Sequence, residues 1–383
     1  MKALIVVIGY NRIASLKRLF DSIISAYFPN DSIIDLFVSL DYSDLQEKIF
    51  KELYSTDWNY GTFKIIKHKS RLGLKKHVIY CGNLSKDYDF VIMLEDDLTV
   101  SKTFFSFALE SIKYYLNFDK IAGISLYSHK KNPLNLIPFT PIFNGSDTFL
   151  LQYAQSWGQV FTKNMWKKFH DFYVLNLNFD FINSSLPTNI KNWSEKSWLK
   201  FYMAYIYVKD LYFVYPYNSF STNHSEKGEH NIDSNSLFMV PLENKSRNFI
   251  FHSLTDHILY DIFFENHPSF LSDSNLNIDE ITIDIYGTKP NSLYKRYLYT
   301  TELLSFKILK GFKIKYKPHE INLNNFELGN DIFLYDTNKK SKRRMFSIRS
   351  LNHKFLYYYG IKVNFYIIFK SFLKYLFPDV SSK

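Results

Sequence analysis

Cysteine is almost absent: Cys81 is the only one in 383 residues. That excludes an internal disulfide framework, and no Cys/His cluster has zinc spacing, so a reducing compartment is expected. Glycine and proline are scarce, at 12 and 11, while aromatic residues make up 19% of the chain, a balance that excludes wholesale disorder. No eighteen apolar residues follow one another, so no integral membrane helix is expected. "KALIVVIGYNR" passes from one lysine through a short apolar run into a polar loop without a small-residue cleavage site, and reads as a first strand rather than a secretory leader. Neither GxGxxG nor GxxxxGKS/T occurs, which counts against dinucleotide-binding and P-loop sites.

Acidic residues are also unevenly missing. From Thr337 to Lys383 there are eleven Lys/Arg and one acidic residue, a surplus equal to the +10 of the whole chain. "KKSKRR" (Lys339 to Arg344) has no nucleic-acid reading module beside it, so no nucleic-acid partner is expected. Beyond it, Phe365, Ile368, Phe369, Phe372 and Leu376 recur at helical spacing, with Lys362, Lys370 and Lys374 mostly elsewhere on the wheel. The pattern fits an interfacial helix on an anionic membrane surface, or a C-terminal helix packed on its own domain with solvated lysines.

The length allows two domains, or one large domain with an extension. Apolar runs alternate with amphipathic segments from the N-terminus: "ALIVVI", "DLFVSLD", "FKIIKH" and "FVIML" as strands, with helices between them. Such alternation predicts a mostly parallel α/β sheet covered on both faces, with ligands outside the carboxyl ends of its strands. The polar residues ending these strands are Asn11 and Arg12, then Asp41, then Glu95, Asp96 and Asp97. Past Ile121 the pattern weakens: "AGISLYS" reads as a strand, "SWGQVFTKNMWKKFHDFY" as a loop leading into a helix, and the stretch from about Asn231 as a polar linker. "ITIDIYG" and "FKIKYK" predict a small β-containing region. The expected division is 1–235, 236–336 and a tail over 337–383.

Glu95, Asp96 and Asp97 are the centre of the reading. Three adjacent carboxylates at the end of a buried strand repel one another unless a cation is present. Mg2+ or Mn2+ suits hard oxygen ligands, typically taking one or two carboxylates and filling the other positions with water and substrate phosphates. The alternative is a solvated loop with an N-cap aspartate for the following helix.

The order "GYNR", "SLD", "KKHVIY", "LEDDLTVSKTFFSFA", "SWGQVF", "NWSEKSW" and "KGEH" resembles GT-A nucleotide-sugar glycosyltransferases over roughly residues 1 to 235. It is similar in particular to the inverting N-acetylglucosaminyltransferase I family and to bacterial family-two glycosyltransferases. The resemblance implies a GT-A, Rossmann-like fold with Asp97 on the metal, Asp96 and Glu95 facing the ribose and donor sugar, and Arg12, Asp41 and His77 near the nucleotide. It further implies Glu195, the only carboxylate between Trp193 and Trp198, as the base. The Trp157 ring, beside Gly158, suits the apolar face of a pyranose as a sugar platform, with core packing as the rival reading. The loop "NHSEKGEH" resembles the region that closes over the donor phosphates, which implies Lys227 and His230 as its contacts. Independently of the family, Arg12 can pair with phosphate or stack on a base, and Asp41 can accept from a uracil-type N–H.

The expected activity is therefore a metal-dependent inverting transfer from a nucleotide sugar, UDP being the expected nucleotide, to a surface polysaccharide or lipid-linked oligosaccharide. The expected place is the cytoplasm, or the inner face of the plasma membrane through the basic tail. A nucleotidyltransferase shares a strand-end acidic site but needs a Gly-rich phosphate loop that "GYNR" lacks. A non-catalytic sugar- or membrane-binding protein of similar fold is the third reading.

Overall fold

The computed structural model describes residues 1–226, 236–271, 276–325, 327–342 and 348–362. Those residues divide into two compact units: Met1–Leu134 with Pro141–His267, and Asn135–Thr140 with Pro268 onward.

The first unit opens with β1 (Lys2–Gly9), α1 (Ile13–Ile24), β2 (Ile33–Leu40), α2 (Gln46–Leu53), β3 (Phe63–Lys67), α3 (Leu74–Asn83) and β4 (Phe90–Glu95). These follow the expected alternation, and for the expected reason. β1 is apolar over Ala3 to Ile8 because both of its faces are covered, so every one of those residues is buried. α1 instead buries one stripe, with Leu16, Leu19, Phe20 and Ile23 turned to the sheet.

A short β5 (Leu98–Val100) and α4 (Phe104–Tyr115) follow, then β6 (Ile121–Ser125), β7 (Thr148–Leu151), β8 (Gln159–Thr162) and α5 (Lys163–Leu175). The unit finishes with α6 (Thr188–Lys191), α7 (Trp198–Lys209), β9 (Tyr212–Pro216), β10 (Ser221–Asn223) and β11 (Leu259–Tyr260). Nine strands form one sheet in the order β11-β7-β9-β6-β8-β4-β1-β2-β3. β3, β2, β1 and β4 are mutually parallel. β8 runs against both β4 and β6, and β6 lies parallel to β9, so β6 and β9 point the same way as the first four. Six strands therefore end at one edge, and that edge carries the site. β5 and β10 pair separately as a two-stranded ribbon.

"QVFT" is a strand where a loop was expected. Val160 and Phe161 are fully buried between β4 and β6, so the pairing of this short segment comes from its neighbours rather than from its own pattern.

The second unit is a four-stranded sheet, order β12-β13-β15-β14, built from β12 (Ile281–Asp284), β13 (Tyr297–Thr300), β14 (Phe306–Phe312) and β15 (Ile332–Lys340). It also holds α8 (Ile321–Asn324) and α9 (Ile348–Tyr359). Ile281, Ile283, Ile285, Phe312, Ile314 and Ile332 form its core. The small β region is present, but its second strand is not "FKIKYK". β14 ends at Phe312, after which the chain bends as the Ile314 amide donates to Asp331 (3.0 Å) and the amides of Lys315 and Tyr316 both donate to Asn322 Oδ1.

The units do not divide at 235/236 or 336/337. Residues 236–267 belong to the first unit, where β11 adds to β7, and β15 runs across the second expected boundary. Asn135–Thr140 joins the second unit through Asn135 Nδ2 on the Tyr286 carbonyl (3.1 Å). The apolar stripe from Phe365 to Leu376 lies outside the described residues, as do Lys227 and His230. Among the described residues no helix is long and apolar enough to cross a membrane.

Candidate active site at the carboxyl edge of the sheet

β4 delivers Glu95, Asp96 and Asp97 into a tight turn that returns at once as β5. The N-cap alternative does not hold, because α4 begins at Phe104 behind Thr103, six residues past Asp97. Neither is this a solvated loop: Asp96 is 4% exposed and Asp97 9%. β10 fixes the far side of the turn, with Leu98 opposite Asn223 and the His224 amide donating to the Asp97 carbonyl (3.1 Å).

The only cation bonded to the triplet among the described residues is Arg12, just past β1. Its guanidinium donates to Asp96 and lies 3.3 Å from Asp97 Oδ2. Burial pushes the Asp96 carboxyl up to about 6 even though Arg12 pulls it down, and Asp97 adds to the rise. Glu95, half-buried, is pushed well above the ordinary carboxylate range, first by burial and then by Asp97 and Asp96, against the pull of Arg12 and Ser156. Burial lowers the Arg12 guanidinium, but Asp96 and Asp97 more than reverse this and hold it above its ordinary value.

Asp97 Oδ1 is buried and has no hydrogen-bond partner, a condition that costs stability unless a ligand fills it. Among the described residues no group of three or more His, Cys, Asp or Glu forms a cage. The donor set therefore fits an ion that takes one carboxylate and draws other ligands from substrate oxygens and water, as Mg2+ and Mn2+ do.

His224 stands beside Asp97 and was not singled out in the sequence. Its Nε2 bonds Thr99 Oγ1 (2.8 Å), and burial and Arg18 lower its pKa against the opposing pull of Glu226 and Asp97, favouring the neutral, metal-competent imidazole. Glu226 is bound by Arg18 Nη1 (2.6 Å) and by the Ser15 hydroxyl, two groups one turn apart on α1. The only signal for these residues was their place after β10 in "NHSE".

Asp41 directly follows β2 and is buried. Its carboxylate accepts three backbone N–H groups, from Tyr42 (2.8 Å), Leu72 (2.8 Å) and Gly73 (2.9 Å), and so shapes the turn into α3. Gly73 sits there at φ +73°, a conformation glycine adopts without penalty. In front of this turn the Arg71 guanidinium lies 4.3 Å over the Tyr10 ring, a flat cationic surface that the sequence did not mark.

His77 is not brought to the edge. It is 3% exposed, bonds Ser39 Oγ (2.8 Å), and burial lowers its pKa to about 4, with His68 adding to the fall and Asp41 opposing it. Glu195 is the opposite case, with 76% of its side chain exposed and its carboxylate on the Lys200 ammonium. Its carbonyl accepts from Lys75 Nζ (2.6 Å), tying this turn to α3.

Trp157 is half-buried, with its ring 4.7 Å from Tyr127 and 4.9 Å from Phe238. The turn at Gly158 has φ +92°, and a Cβ there would come within 2.9 Å of Ser221 Oγ. Gly158 thus lets the loop close against β10.

No family model matches the chain, and no curated protein matches it. Among solved structures it is similar to Staphylococcus aureus TarS 1–349 in complex with UDP-GlcNAc, at 15% identity and a TM-score of 0.39, over 60% of each chain. It is similar to GalNAc-T7 with UDP, GalNAc and Mn2+, at 12% identity and a TM-score of 0.38, over 56% of this chain and 42% of that one. A third is the mannosyltransferase PcManGT from Pyrobaculum calidifontis with GDP-Man and Mn2+, at 11% identity and a TM-score of 0.32, over 42% and 44%. The chain thus spans less than two thirds of each of these structures, and at such TM-scores the likenesses carry no functional argument.

Proposed function

We propose that this chain is a metal-dependent inverting glycosyltransferase that takes a sugar from a nucleoside diphosphate, UDP in the first instance, and passes it to a glycan or lipid-linked acceptor. The observation that carries the reading is the buried Asp97 carboxylate with one oxygen unpartnered, next to Asp96 and Arg12, at the edge where six strands end.

Asp97 and His224 are the residues that would hold the metal. When bound, such an ion neutralises charge growing on the departing diphosphate. Arg12 offers the planar donor set that suits a phosphate. Arg71 on Tyr10 offers a face on which a base can stack. A nucleotidyltransferase is disfavoured, because Tyr10, Asn11 and Arg12 fill the turn from β1 to α1 with no glycine after Gly9.

The test is Asp97→Asn. It removes one ligand charge and leaves the packing intact, so manganese-dependent UDP binding measured by calorimetry should vanish while the circular dichroism spectrum stays unchanged. Equal UDP affinity and equal manganese dependence in the variant and the wild type would sink the assignment.

A further inference from the structure

Gln155, in the turn that enters β8, and Gln159, the first residue of that strand, differ in one respect. Gln155 is fully used: its Nε2 donates to Ser125 Oγ (2.6 Å) and to the Gly158 carbonyl (2.9 Å), and its Oε1 accepts from the Trp157 amide. Gln159 is 1% exposed, and neither its Oε1 nor its Nε2 has a partner. A buried primary amide with both ends unpaired is costly, and a leucine of similar volume would fill the same space without that cost.

The strand register says what the amide is near. Gln159 is paired with Met93 on β4 and with Ser125 on β6. Residues directly opposite across a ladder point to the same side, and so do residues two apart along a strand. Glu95, two residues beyond Met93, is therefore on the face of Gln159, one pleat nearer the strand ends and about 7–8 Å away as a diagonal neighbour. Phe161, two residues further along β8, packs on Trp166 and Tyr202 from α5 and α7 (5.3 and 5.5 Å between ring centroids). Gln159 thus stands between an aromatic floor and the carboxylate turn.

We propose that Gln159 is a specificity-determining residue of the donor site, its carboxamide hydrogen-bonding two adjacent polar substituents of an uncharged pyranose carried by the nucleotide. The inference rests on the functional reading above. An amide offers one donor edge and one acceptor edge side by side, which matches a vicinal pair of hydroxyls or a hydroxyl beside an acetamido group. The nucleotide itself is held by other residues, so Gln159 acts on the sugar alone.

The experiment measures binding of UDP, UDP-glucose and UDP-N-acetylglucosamine, each with Mn2+, to wild type, Gln159→Leu and Gln159→Met. Both variants should bind UDP as wild type does. Both should lose roughly three- to tenfold in affinity for the sugar nucleotide that wild type prefers, the size of one or two lost hydrogen bonds. Their thermal midpoints should equal or exceed that of wild type, because an unpaired amide has been removed. Unchanged affinities for UDP and for both sugar nucleotides in either folded variant overturn this inference and leave the proposed function standing. A wild-type protein that binds no UDP in the presence of Mn2+ overturns both.

Discussion

The Lys200 ammonium lies inside the first unit with 2% of its side chain exposed, held by the Trp193 carbonyl (3.0 Å) and by the Glu195 carboxylate. A cation so far from water needs a countercharge, which gives Glu195 a structural task whatever else it does. Glu195→Gln leaves Lys200 with a neutral partner, so stability should fall by about 1–3 kcal/mol, read as a shift in urea midpoint. The contrary result, unchanged stability with turnover lowered roughly 10²-fold, would return Glu195 to the role of general base. Glu226 is a poor substitute at neutral pH, because its hydrogen bond from Arg18, helped by Ser15 and opposed by burial, holds its pKa at about 2. At this scale the sequence was informative about position and silent about partners. Asp41, Asp96 and Asp97 end strands as their spacing says, but nothing in "WSEKSW" shows that α7 turns Lys200 inward beneath Glu195. Similarly, "KKH" does not show that Ser39 waits behind His77.

Among the elements, strands of five or more residues in the first unit were readable and the shorter ones were not. β1, β2 and β4 are fixed by their own residues, whereas β5, β8 and β10 are three or four residues long and carry Thr, Gln, Ser or Asn. Their extended state comes from the strands beside them, which local pattern does not encode. The helices offer a sharper test. α3 meets α5 at Gly82, where a Cβ would overlap the Trp166 indole, and the Trp166 N–H donates to Asn83 Oδ1 (2.8 Å). Gly82→Ala must displace that ring. The expected loss is about 1–3 kcal/mol, the usual cost of overpacking, despite the better helix propensity of alanine. A variant as stable as wild type would mean that the two helices stand further apart than described.

At the scale of the whole molecule, acid is the predicted weakness. Burial lowers His77 and His257 to about 4, and His129 and His319 to about 3, so all four are neutral when folded near neutrality. Unfolded histidine titrates near about 6.5. Between that value and about 4 the unfolded chain binds protons that the folded chain refuses, so stability falls as pH falls through this window. Each group contributes at most about 1.4 kcal/mol per pH unit. Urea midpoints should therefore drop between pH 7 and pH 5, and His129→Phe, set among five other rings, should drop less. A flat profile rejects the argument. The division of the chain was the least legible feature, because a six-residue excursion over Asn135–Thr140 carries no change of composition.

Arg12 has a consequence for how ligands cooperate. With no divalent ion present its guanidinium serves as the resident cation of Asp96 and Asp97, so an entering ion meets a competitor already in place. A diphosphate that draws Arg12 to itself removes that competitor, and by reciprocity the ion must favour the diphosphate by the same factor. Removing the guanidinium should therefore move two affinities in opposite directions: Arg12→Gln should bind Mn2+ alone more tightly and UDP less tightly than wild type. If both affinities fall together, the arginine organises the acidic turn and does not compete for it.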